Sequence, residues 1–263
     1  KRANANIVMG RFLYALKQDT DYEIISYEGG QKDNAITREA VCEILVARED
    51  IEAVKACAAK AEKGIREEYA GTDSNITVQI TEEGYAETDV LHPTSREKVL
   101  FYLVQIPFGI QKMSGNIEGL VETSTNIGIV KLSDDEFFAS SSVRSSVEAA
   151  RDALSDKIQY LTEFLGGEFE IQGAYPAWEY RKDSPLRDKM VSVYEEMYGQ
   201  KPEVVAIHAG LECGLFYKKI EGLDCVSLGP DMKDIHTSEE VLDIASTERV
   251  WNYLVKVLEQ LKD

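Results

Sequence analysis

Hydrophobic positions recur along the chain with two periods, and the change of period divides it into elements. The segment RANANIVMGRFLYAL places Ile7, Met9, Phe12, Leu13 and Leu16 on overlapping faces of a helix. No capping residue is read before it, and with that near-immediate start the chain is expected to be a fragment of a longer protein. Residues 22–27 then alternate and end at Gly29-Gly30, a strand closing in a turn, and 40–46 read as the returning strand. Residues 50–68 are predicted helical with Asp50 as cap, and 75–80 (NITVQI) alternate cleanly as a strand. A helix over 95–105, capped by Thr94 or Ser95, precedes the Gly-punctuated stretch PFGIQKMSGNIEG. Strands at 121–132 and 137–143 flank Ser133-Asp134-Asp135 as a hairpin. Ser145 or Ser146 can cap a helix over 147–165, which stops at Gly166-Gly167.

Beyond residue 166 the character changes. Residues 169–174 are predicted as a strand. Asp183-Ser184-Pro185 supplies a cap and an N1 proline for a helix over 186–198. The short apolar runs at 204–208 and 225–228 look like buried strands of an α/β core, and 247–261 form a closing amphipathic helix. Two domains follow: an α+β layer over 1–166, and an α/β part over 167–263.

Composition narrows the function classes. Among 263 residues, 44% hydrophobic and 29% charged describe an ordinary globular protein. The longest apolar run, residues 99–110, is interrupted by Gln105 and Pro107 and falls short of the ~20 residues of a membrane-spanning helix. With 29 basic against 47 acidic side chains the net charge is −18, which would repel a phosphate backbone and argues against nucleic acid. Four cysteines without CxxC spacing (Cys42, Cys57, Cys213, Cys225) read as small buried thiols in a reducing compartment.

The candidate chemistry is sparse. His236 sits after a Gly-Pro turn at the end of an apolar run, placed as a metal ligand or as a surface histidine beside Glu239 and Glu240. One histidine does not make a zinc site, which needs three or four protein ligands. In HAGLECG (208–214), Gly210 permits close backbone approach and Glu212 could bind a cationic group such as a free α-amine; the plainer alternative is a strand-to-helix turn. Arg144, at the end of FFASSSV, suits a two-pronged bond to a substrate carboxylate or a surface ion pair. The amides of Asn34 and Asn126 could bind a carbonyl or serve a loop and a sheet. His92 reads as a surface residue, and Tyr175, Trp178 and Tyr180 as packing beneath a loop. No GxSxG elbow, phosphate-cradling glycine loop or HExxH is present.

Several strings taken in order carry more. RANAN (2–6), GGQKDNAITREA (29–40), ETSTNIGIV (122–130), SSVRSS (141–146), GAYPAW (173–178), IHAGLECGLF (207–216) and SLGPDMKDIHTSEE (227–240) resemble the aminoacyl-histidine (Xaa-His) dipeptidases of the M20 peptidases. The resemblance implies an α/β protein in which an α+β lid is inserted into a zinc-peptidase-like catalytic domain, with only the C-terminal part of that domain present here. It implies hydrolysis of unblocked dipeptides, preferring Xaa-His, at a site with two zinc ions or other divalent metals. His236 matches the last metal ligand, while Asn34 and Arg144 match lid residues that contact the substrate. Gly210 lies in the loop lining the cleft, with Glu212 and Asn126 as neighbours. The remaining ligands and the general base are expected upstream of Lys1, so no catalytic residue is assigned here and the piece alone is expected to be inactive. A cytoplasmic homodimer with a small dipeptide substrate, and neither nucleic acid nor membrane as partner, completes the expectation. The alternatives are another M20-type peptidase or aminoacylase (a tripeptidase or a broad dipeptidase), or a non-catalytic lid and dimerisation module.

Overall fold

Asn4 starts the fold. In the computed structural model, described here for residues 2–73, 75–133, 136–206, 211–235 and 239–262, its side chain accepts hydrogen bonds from the backbone N–H groups of Asn6 and Ile7. It thereby caps helix α1, Ala5–Leu16. The expectation of an uncapped helix is therefore corrected: RANAN contains the cap.

The chain divides into two units. The first runs from the N-terminal residues to Met113 and includes Val121–Ser145 and Ala149–Gln172; the second holds Ser114–Leu120, Ser146–Glu148 and the chain from Gly173 onward.

The first unit is a five-stranded antiparallel sheet with helices. Strands β1 (Tyr22–Gly29) and β2 (Ala40–Val46) pair as neighbours, followed by helix α2 (Ile51–Glu68) and helix α3 (Pro93–Gln105). Strand β3 (Gly109–Met113) leads to the long β4 (Val121–Leu132) and to β5 (Phe137–Ser145), and helix α4 spans Glu148–Phe164. The order is β2-β1-β4-β3, with β5 on β4. Because β5 covers β4 from Thr123 to Leu132, β1 and β3 must share β4's other edge: β3 takes Val121–Thr125 and β1 takes Val130–Leu132. Ile127 and Gly128 lie in the gap between them.

Burial on β4 shifts at that gap. Thr123, Thr125 and Ile127 face inward before it, Val130 and Leu132 after it. The β4–β5 register slips between Ile127 and Ile129, a bulge at Gly128 that moves the inward face by one residue. Helix α1 packs against α2, α3 and β4, so Leu13 and Leu16 meet Ile24, Tyr27, Leu103, Ile127 and Val130 in one core. Each fully buried Leu or Ile there contributes roughly 1.5–3 kcal/mol.

In the second unit, Ser184 Oγ accepts from the backbone N–H of Arg187 and Pro185 sits in the first turn of helix α5 (Pro185–Tyr198), as its sequence predicts. Helix α6 (Glu212–Lys219), the two-residue strands β6 (Met232–Lys233) and β7 (Val241–Leu242), and helix α7 (Ile244–Gln260) follow. Met190, Val193, Tyr253 and Val257 form its core, and Tyr253 donates its hydroxyl proton to Met190 O at 2.7 Å.

Several expectations are corrected. Residues 75–80 and 169–174 form no strand, and the second segment bends at Gly173, where φ is +61°. Within 204–206 and 225–228 no strand forms, and Val205 is 66% exposed. The caps differ as well: Asp50 makes no capping bond, and α3 is capped by His92, whose Nδ1 accepts from the Thr94 N–H at 3.2 Å. The four cysteines are free and half-buried rather than fully buried.

Candidate functional site

The first unit gathers three of the sequence-marked residues on one face. Loop 30–37 leaves β1 at Gly30, where φ is +79°, a backbone region that favours glycine. The loop crosses β4 at its bulge, and the approach is close. A Cβ on Gly128 would collide with the carbonyls of Asp33 and Lys32, so no other residue fits without moving the loop.

A buried polar network fastens this crossing. Asn4 Nδ2 donates to Ile127 O at 2.8 Å and to Asn126 Oδ1 at 3.0 Å. Thr37 Oγ1 lies 2.9 Å from Gly128 O and 3.3 Å from Ile127 O as donor, and accepts from Asn6 Nδ2 at 3.1 Å. Tyr27 donates its hydroxyl proton to Asn6 Oδ1 at 3.1 Å. Burial, with a smaller push from Cys42, raises the Tyr27 phenol above its ordinary range, so it remains a donor. These side chains occupy the stretch of β4 edge that neither β1 nor β3 reaches. Its two carbonyls would otherwise be buried without partners at about 1–3 kcal/mol each.

Asn126 is the bracket between strand and loop. Its Oδ1 accepts from Asn4, and its Nδ2 donates to Ala35 O at 2.8 Å and to Asp33 O at 3.4 Å. Both carbonyls flank Asn34, whose side chain is exposed and whose backbone N–H donates to Asp33 Oδ1 at 2.8 Å. Arg144 on β5 stands opposite Ser124, as Ser142 does opposite Asn126. Directly opposed residues share a sheet face, and so do residues two apart on one strand. Arg144 and Asn126 therefore lie on the same face of the sheet. The Arg144 side chain is exposed, and among the described residues no hydrogen bond or ion pair holds it.

Glu212 belongs to the second unit, exposed in the first turn of α6. His236, Gly210 and His208 lie outside the described residues. Among the described residues no group of three or more His, Cys, Asp or Glu side chains is placed to hold a metal ion. These residues therefore do not by themselves fit a zinc centre. Asn4, Asn6 and Thr37 were not singled out in the sequence; Asn4 and Asn6 stand between apolar neighbours, a signal that Thr37, beside Arg38 in a polar loop, does not share.

The fold corresponds to a known class. Residues 1–73 match the M20 peptidase dimerisation domain. Over 258 residues, 98% of this chain, the sequence is 30% identical to the cytosol non-specific dipeptidase of Escherichia coli (strain K12). The crystal structure of aminoacylhistidine dipeptidase from Vibrio alginolyticus superposes with a TM-score of 0.90 at 31% identity, again over 98% of this chain. The resemblance to M20 dipeptidases carried by the ordered strings is borne out by sequence and structure together. The chain spans 53% of the length of each of these relatives. Among the described residues, no helix is long and apolar enough to cross a membrane.

Proposed function

We propose that this chain is the lid and the C-terminal catalytic-domain portion of a cytoplasmic metallo-dipeptidase that cleaves unblocked dipeptides and works as a homodimer. The observation that carries the reading is the exposed pair on the first unit. Arg144 is without a protein partner among the described residues, and Asn34 is presented by a loop pinned through Asn126. A guanidinium on a rigid strand takes a carboxylate through two parallel N–H···O bonds, and a neighbouring amide donates to a substrate carbonyl or to the oxyanion that develops from it. Asn126 serves this site by positioning Asn34. Glu212 would accept from the substrate's α-amine, Gly210 would line the cleft, and His236 would be one ligand of a zinc pair. The other ligands and the general base fall outside this chain, so water activation is not assigned to its residues.

The names of the two relatives differ in breadth, one non-specific and one aminoacylhistidine. The Arg144 clamp reads the carboxylate common to all dipeptides, so it serves a broad dipeptidase as well as an Xaa-His one. The test is hydrolysis by the complete enzyme of free and C-terminally amidated dipeptides, with Xaa-His and other sequences compared. Arg144→Lys should raise KM or lower kcat for free dipeptides about ten-fold or more, while barely changing the amides. Equal effects on both would remove Arg144 from the carboxylate. This chain alone should bind zinc weakly or not at all in calorimetry, and tight binding of two ions would overturn the division of ligands.

A further inference from the structure

The second unit holds a pair of thiols that the proposed reaction does not use. Cys213 lies in the first turn of α6, and Cys225 follows it by little more than the helix and one turn. Cys225 Sγ lies 4.0 Å from Cys213 O, which places the two residues side by side. Both are free and half-buried, so a small reagent can reach them.

Both stems are seated. Asp224, the residue before Cys225, accepts from Ser184 Oγ at 2.7 Å and from the Leu186 N–H at 2.9 Å, which ties it to the start of α5. On the other side, Gly214 packs closely under Pro176 O, which fixes the first turn of α6. Two cysteines held side by side by independent anchors have a high effective concentration for each other, and this favours an intramolecular bond over mixed or intermolecular ones.

We propose that Cys213 and Cys225 form a reversible disulfide by exchange with a low-molecular-weight disulfide. The Cys213 thiolate attacks one sulfur of the small disulfide, breaking its S–S bond and releasing one small thiolate. The Cys225 thiolate then attacks the Cys213 sulfur of the mixed disulfide, forming the Cys213–Cys225 bond and releasing the second small thiolate. The protein thiols lose two electrons, which reduce the small disulfide to two thiols, and the two thiol protons go to the leaving thiolates. Burial, then the neighbouring Cys213, raises the Cys225 thiol and lowers its thiolate fraction, so the second step relies on its closeness to Cys213 rather than on its acidity. The product ties the first turn of α6, and Glu212 with it, to the segment anchored at Asp224.

The test is incubation of the native chain with oxidised glutathione, followed by thiol quenching and a non-reducing tryptic map. Cleavage at Lys218 and Lys219 separates the two cysteines, so the bond appears as a linked peptide pair. The expected result is that pair, with two of the four thiols lost and both recovered on reduction. Cys225→Ser should stop at a glutathione adduct on Cys213. The proposal is overturned if the four thiols stay free, if Cys213 and Cys225 end as separate adducts, or if linkage is mainly between chains.

Discussion

Truncating Asn4 to alanine should cost the first unit about 3 kcal/mol, and the sum can be traced group by group. Asn4 is 1% exposed and its side chain makes four hydrogen bonds, two as the cap of α1 and two as a donor to β4. Loss of the cap removes about 1 kcal/mol. The two donated bonds add about 2 kcal/mol, because Asn126 Oδ1 loses its protein donor while Ile127 O keeps Thr37 as a weaker one. Asn4→Asp separates the two contributions: it keeps the cap acceptor and places a carboxylate against two acceptors, so it should be no milder than alanine. Urea titration followed by circular dichroism and by hydrogen exchange in β4 measures the loss. Trp178 and Trp251 both lie in the second unit, so tryptophan fluorescence follows that unit alone and serves as the internal reference. In a double-mutant cycle with Asn126→Ala the coupling should be about 1 kcal/mol. A loss below about 1 kcal/mol for Asn4→Ala, or no coupling, would refute the claim that this network holds the loop to the bulge.

Three further outcomes follow from particular contacts. Gly128→Ala forces loop 30–37 off β4 and should lower stability by about 1–3 kcal/mol; an unchanged thermal midpoint would show that the loop yields freely. At Asp224 burial raises the carboxyl, but the Ser184 hydroxyl, the Leu186 N–H and the charges of Arg181 and Arg187 outweigh it and hold the group below its ordinary value. Its stabilisation is therefore complete above the unfolded value of about 3.9 and is lost as pH falls through the lower folded value. Asp224→Asn should lower the urea midpoint read by tryptophan fluorescence at pH 7 and make little difference near pH 2; a pH-independent difference would assign the effect to hydrogen bonding alone. Burial, then the charge of Glu43, pushes the Cys42 thiol up to about 12, so thiol reagents at neutral pH should label Cys42 last, and early labelling would contradict its burial.

The residues where sequence and structure part show what periodicity reports. In 75–80 the predicted alternation is physically present: Ile76, Val78 and Ile80 are half-buried and the residues between them are exposed. The backbone, however, is satisfied by a helix: Glu62 Oε2 on α2 accepts from the Val78 N–H at 2.8 Å, and Arg66 Nε donates to Ile76 O at 2.5 Å. Alternation encodes which side chains face inward and is silent on what pairs with the main chain. The apolar run at 204–206 fails for the complementary reason, since no described strand lies beside it to bury Val205. β1 and α5 were legible because their signals were local: alternation ending at a Gly-Gly turn for one, Ser-Pro at the helix start for the other. His92 was read as a surface residue for want of an acidic or histidine partner, and it is exposed; its role as the cap of α3 went unread, although Pro93 at the first helical position marked the boundary.

The candidate site was legible as residue types and not as roles. Asn34 and Asn126 carry the same amide, and nothing in their sequence neighbourhoods says which faces solvent. The bulge decides: it brings Gly128 under the loop and leaves the carbonyls of Asp33 and Ala35 where Asn126 Nδ2 can hold them, so one amide is consumed in presenting the other. Four of the strings that carry the resemblance, RANAN, GGQKDNAITREA, ETSTNIGIV and SSVRSS, thus meet on a single bulged strand and its partner. Replacing Asn126 should accordingly disturb Asn34 before it disturbs any ligand. If Asn126→Ala changed substrate affinity while exchange protection of loop 30–37 stayed intact, Asn126 would have to be returned to direct contact with the substrate.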